Sequence, residues 1–111
     1  MGSTLQHVDA EGRVALELSG SFGLADAEEL KQALSGALDA STGLLVLDMA
    51  QVEAANLTFF QLLFGLAAQA RLDGKAVARR GGLHPACSGA AAEMGITQQD
   101  FDQAFAPEET R

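Results

Sequence analysis

Apolar and polar positions divide this chain into short elements. Val14, Leu16 and Leu18 alternate with Arg13, Ala15 and Glu17, the period of two that marks a strand with one more polar face. Leu5–Val8 reads as a shorter strand before it, with a turn at Glu11-Gly12 between them. Gly20 and Gly23 then bracket a flexible connection that contains Ser21 and Phe22. Across residues 25–39, Ala25, Leu30, Ala33, Leu34, Ala37 and Leu38 share one face at roughly helical spacing. Asp26, Glu28 and Glu29 fall in the first turn of that helix, where the helix dipole favours negative charge.

The strongest pattern runs from Leu44 to Gly74. Leu44–Leu47 is a short apolar run closed by Asp48, as expected of a central parallel strand covered on both faces. After a polar connection, Asn56 or Thr58 offers a helix cap. Phe60, Leu63, Phe64 and Ala67 form one helical stripe, and Phe59, Leu62, Leu63 and Leu66 form an overlapping one. A helix apolar over so much of its circumference is largely buried. Asp73-Gly74 ends it, with Gly74 suited to the left-handed position after a helix, and Lys75–Ala78 returns to strand. The unit predicts two parallel strands joined by a right-handed helical crossover over residues 59–73.

Further on, Arg79-Arg80-Gly81-Gly82 marks a strand end and a loop. Pro85 opens a helix that Gly95 stops, and Thr97 caps a last helix, Gln98–Phe105. Pro107 and a charged tail end the fold. The order of elements predicts an α/β single domain over residues 1–111, with its core at about residues 5–105: a small mixed sheet with parallel crossovers covered by helices.

Charge narrows the partners. Fifteen acidic residues against seven basic give a net charge of −8. That argues against binding nucleic acid or inserting into an anionic membrane, and favours basic patches on a partner. No apolar run approaches the roughly 18–20 residues of a membrane span, and no Sec-type leader is visible, so a cytoplasmic protein is expected. The single cysteine, Cys87, excludes an internal disulfide and a cysteine metal cluster, and reads as a small buried thiol. His7 and His84 stand apart, without a nucleophile or paired carboxylate beside them, and read as surface groups. No catalytic triad, metal-ligand spacing or cofactor motif is present, so an enzyme, a metal and a cofactor are not expected.

These elements carry a resemblance. The chain resembles a STAS domain, the fold of bacterial anti-sigma factor antagonists, over roughly residues 5–96. The likeness rests on the strand Val14–Leu18 followed by Gly20, and on Ala27, Leu30, Ala33 and Leu34 of the first helix. It continues through Leu47-Asp48 and Val52, Gln61-Leu62-Leu63 and Asp73-Gly74-Lys75. Pro85 and Met94-Gly95-Ile96 complete it. The resemblance implies a STAS-like fold and a non-enzymatic protein–protein interaction module of bacterial signalling or transcription regulation. The implied partner is an anti-sigma kinase, a chemotaxis protein or another signalling protein.

In phospho-switched members of the family, Asp-Ser-Ser-Gly or a close relative opens the second helix, and its first Ser accepts phosphate. Here that segment is Asn56-Leu57-Thr58-Phe59. Leu57 stands at the acceptor position without a hydroxyl, Asn56 replaces the family's Asp, and Thr58 matches the second hydroxyl. The acidic residue expected after the second strand is missing from Ser21-Phe22-Gly23. The resemblance therefore implies partner binding through Asn56, Leu57, Thr58, Phe59, Ser21, Phe22 and Gly23 without the usual phosphate switch. Thr58 is the only candidate phospho-acceptor in that segment, and also a candidate cap. Leu57 and Phe59 are expected to face outward as docking anchors, with packing against the Ser21–Gly23 connection as the alternative. Two further readings stay open: a sensor holding an anion or nucleotide between the helix start and Arg79-Arg80, and a STAS subunit of a membrane-associated transport complex.

Overall fold

Five strands form one sheet whose spatial order is the order of the chain, β1-β2-β3-β4-β5. The computed structural model describes residues 2–8, 13–80 and 85–107. The strands are β1 (Gly2–Val8), β2 (Val14–Phe22), β3 (Leu44–Ala55), β4 (Ala76–Arg80) and β5 (Ala106–Pro107). The helices are α1 (Ala27–Ala40), preceded by a 3-10 turn at Leu24–Asp26, then α2 (Leu57–Leu72), α3 (Pro85–Glu93) and α4 (Gln98–Ala104). β1 runs antiparallel to β2, and every other neighbouring pair is parallel. This is the α/β fold that the sequence predicts, with α2 as the crossover between parallel, adjacent β3 and β4.

The core follows from the apolar stripes. Val14, Leu16 and Leu18 of β2, Leu45 and Leu47 of β3, and Val77 of β4 pack in one cluster with Leu30, Leu34 and Leu38 of α1. Phe59, Phe60, Leu63, Leu66, Ala67 and Ala70 of α2 are all buried, as its wide apolar surface requires. Phe105 is fully buried and meets Phe64 with ring centroids 5.8 Å apart. Arg71 also donates to the Gln103 carbonyl at 3.1 Å, so α2 and the end of α4 are held together by both polar and apolar contact.

The structure lengthens three elements, the first of them the opening strand, which was expected from Leu5 and begins at Gly2. The strand expected to close at Asp48 continues to Ala55, and the connection expected at Ser19–Gly23 is strand as far as Phe22. Two irregularities in the β2–β3 register conceal this. Glu17 pairs with Asp48 but Ser19 pairs with Gln51, and Gly20 pairs with Val52 but Ser21 with Ala54. Each step leaves one extra residue on β3, a bulge that breaks the alternation of a regular strand. Asp48 serves the first bulge: its Oδ1 accepts the Ala50 N–H at 3.2 Å.

Two smaller corrections concern Lys75 and Pro107. Lys75 lies before β4, and its ammonium donates to the Leu38 carbonyl at 2.7 Å, at the C-terminal end of α1 where positive charge is favoured. Pro107 belongs to β5, paired with Arg79, instead of closing the fold beyond it. The Glu11-Gly12 turn, Gly81-Gly82 and His84 lie outside the described residues, as do the side chains of Cys87 and Phe101. No helix among the described residues is long and apolar enough to cross a membrane.

Gly74 ends α2 at φ 72°, with the Lys75 N–H donating to the Ala70 carbonyl at 2.8 Å and the Gly74 N–H to Arg71 at 3.2 Å. This double bond pattern closes the helix only if Gly74 adopts the left-handed conformation. Gly74→Ala is therefore expected to cost about 1 kcal/mol. Urea unfolding checks it, with a lower midpoint at unchanged slope as the expected outcome.

Candidate functional site

The parallel strands β2 and β3 end side by side, with Phe22 paired to Ala55. The residues that follow them, Gly23 to Asp26 and Asn56 to Phe59, therefore emerge at one edge of the sheet. In α/β folds this carboxyl edge is where ligands and partners commonly meet the domain. The register thus brings the expected site residues Ser21, Phe22, Gly23, Asn56, Leu57, Thr58 and Phe59 into one region.

Asn56 is the cap of α2. Its side chain accepts the Phe59 N–H at 3.0 Å, so the structure chooses between the two candidate caps. Thr58 instead sits in the first helical turn, half-buried.

Leu57 and Phe59 go opposite ways. Leu57 is 49% exposed and Phe59 only 1%. Two residues two positions apart on a helix differ by about 200° around its axis, so one bulky side chain turns out when the other turns in. Phe59 packs on Phe22 with ring centroids 5.0 Å apart, and edge-on against Phe60 at 5.3 Å. The expectation that Phe59 is an exposed anchor is corrected: it and Phe22 form the floor beneath the site.

Leu24, which the sequence reading did not single out, and Asp26, which it read only as a charge near the helix dipole, complete the region. Leu24 is 77% exposed in the 3-10 turn after β2. Its position six residues before Leu30 takes it off the stripe that α1 buries, and that offset was the signal available in the sequence. Asp26 turns back on the chain. One carboxylate oxygen accepts the Gly23 N–H at 2.9 Å and the other the Gly2 N–H at 3.4 Å. An acid three residues after the start of a turn is half of a capping box, and the Gly23-to-Asp26 spacing announces it. These bonds, Gly23's first, hold the Asp26 carboxyl below its usual range, and desolvation opposes the shift without cancelling it.

The start of β1 is pressed against the same floor. A Cβ on Gly2 would overlap the Phe22 ring, so only glycine fits there without moving a buried aromatic. Gly2, Phe22 and Asp26 thus tie the first strand to the site.

Other expected groups lie elsewhere. Arg79 and Arg80 pair with Leu47 and Asp48, well back along β3 from Ala55. Seven residues of strand separate those levels by about 20 Å, so the structure does not bring the arginines to the start of α2. His7 is exposed and lies 3.2 Å from Glu17 across the β1–β2 pair. Among the described residues there is no cluster of three or more His, Cys, Asp or Glu that could hold a metal ion.

Comparison with known proteins bears on this geometry. A family model described as "Mlab, STAS domain" matches residues 5–98. The structure of an anti-sigma factor antagonist from Mycobacterium paratuberculosis is similar at a TM-score of 0.70 and 24% identity, covering 99% of this chain and 87% of that one. The anti-sigma factor antagonist SpoIIAA in its unphosphorylated form is similar at a TM-score of 0.61 and 12% identity, covering 72% of this chain and 74% of its own. At such identities the likeness is one of fold. No curated protein sequence matches the chain.

Two predictions follow from the packing and from Asp26. Phe59→Ala removes a fully buried ring and is expected to cost about 3–5 kcal/mol, whereas Leu57→Ala leaves stability within about 0.5 kcal/mol; chemical unfolding of both variants checks this. The Asp26 carboxyl, depressed in the folded state, stabilises the fold at a pH above its unfolded pKa of about 3.9 and loses that contribution as pH falls toward its folded value. Parallel urea titrations of wild type and Asp26→Asn are expected to differ at pH 7 and to converge only as the pH falls below the unfolded pKa of about 3.9 and through the lower folded value.

Proposed function

This chain belongs to the STAS domain family, and from that premise we propose that it is a non-enzymatic protein–protein interaction module docking through the carboxyl edge of β2 and β3. Leu57 carries the reading. It occupies the position at which phospho-switched relatives present a serine, and it is half-exposed at the first residue of α2. A leucine there accepts no phosphate and offers apolar surface to a partner. Leu24 adds a second exposed apolar side chain where the neighbouring strand ends. Asp26, Glu28 and Glu53 lie on the segments that flank these leucines. That surface fits a partner with an apolar pocket rimmed by basic residues, such as an anti-sigma-type kinase or another signalling protein.

The same leucine favours a second reading, a STAS subunit held permanently in a membrane-associated transport complex. A subunit that never leaves its assembly has no use for a phosphate switch. The two readings share a docking surface and differ in the partner that occupies it.

Immobilised protein is expected to capture its partner from native lysate, with identification by mass spectrometry. Leu57→Asp and Leu24→Asp are each expected to weaken that partner's binding about 10-fold or more, through desolvation of the new charge, at unchanged melting temperature. Incubation with an anti-sigma-type kinase and ATP is expected to leave the intact mass unchanged. A stoichiometric phosphate on Thr58, or undiminished capture by the double variant, sinks the proposal.

A further inference from the structure

The two edges of the sheet are finished differently. β5 closes one edge with two residues, and its proline lacks an N–H to offer a further strand. β1 closes the other with seven residues, Gly2-Ser3-Thr4-Leu5-Gln6-His7-Val8. Among the described residues nothing pairs with its outer side. The strand contains no proline, lysine, arginine or carboxylate. It thus lacks the devices by which edge strands ordinarily repel another strand. It also carries two large exposed apolar residues, Leu5 at 56% and Val8 at 59%.

We propose that the outer edge of β1 pairs antiparallel with the β1 of a second copy of this chain, about a two-fold axis at Leu5. The sequence of the strand is complementary to itself in that register. Leu5 meets Leu5, Thr4 meets Gln6, Ser3 meets His7, and Val8 lies over the second copy's Gly2, which has no side chain to obstruct it. No like charges are placed opposite one another, although each copy carries a net −8. A foreign strand would need its own complementary pattern, whereas a second copy brings this one by symmetry. Seven residues span only about 23 Å, so the contact is small and the dimer weak, with a dissociation constant of about 100 µM. The surface is separate from the leucines at the carboxyl edge of β2 and β3, so this inference does not depend on the docking proposal.

Sedimentation velocity over a concentration series tests it directly. Wild type is expected to pass from monomer to dimer around 100 µM, and Leu5→Lys, which sets two ammonium groups face to face, to shift that midpoint at least about 10-fold upward. Circular dichroism and melting temperature confirm that the variant is folded. A second pair of variants does not rely on that charge. In a Cys87→Ser background, Leu5→Cys lies on the proposed axis, where opposed Cα atoms at about 4.5–5.5 Å permit a disulfide. Val8→Cys is displaced from its counterpart by six residues, about 20 Å. Mild oxidation is expected to cross-link the first into a dimer and leave the second monomeric. Wild type that remains monomeric to about 1 mM, equal cross-linking of both cysteine variants, or an unchanged midpoint for folded Leu5→Lys overturns the proposal.

Discussion

The arrangement depends on keeping α2 out of water. Six of its side chains are buried, four of them with 1% exposure or less. A helix with so wide an apolar surface needs cover on more than one side. The sheet supplies one cover and α1 another, while Phe105 closes over Phe64. At a transfer free energy of about 25 cal/mol per Å² of apolar surface, burial of this helix contributes substantially to the collapse of the chain. The strands on either side take their parallel arrangement from the crossover that it makes.

Burial of α2 also fixes the character of its first turn. Once Leu63, Leu66 and Ala70 face the core, the helical repeat directs Phe59 inward beside them and leaves Leu57 outside. The exposed Leu57 is therefore a by-product of core packing as well as a feature of the surface. Asn56 caps the helix through a neutral side chain, so the first turn is closed without a charge at the cap.

The sequence was legible where periodicity was unbroken. The strand from Val14, the wide stripe of α2 and the glycine after it each follow from local pattern, and together they carry the topology. Legibility failed at the two bulges between β2 and β3, because each extra residue moves the following side chains to the opposite face and erases the alternation. It was undecided for Phe59, expected outward with Leu57 or packed against the Ser21–Gly23 connection; helical rotation sets positions 57 and 59 nearly opposite, and Phe59 packs on Phe22. Asp26 was read only as a charge near a helix dipole. Its bonds to Gly23 and Gly2 are three and twenty-four residues away, and the longer of these is tertiary information that no local window holds.

The identity of spatial order and chain order in the sheet has a kinetic meaning. Each strand after β1 docks beside the one synthesised just before it, and no later segment has to be threaded between strands already paired. Loop-closure entropy is therefore met in small instalments, one helix at a time, instead of in a single long-range closure. A chain wired in this way can extend its sheet from one side as it leaves the ribosome, with each incomplete stage already burying part of the surface that would otherwise aggregate.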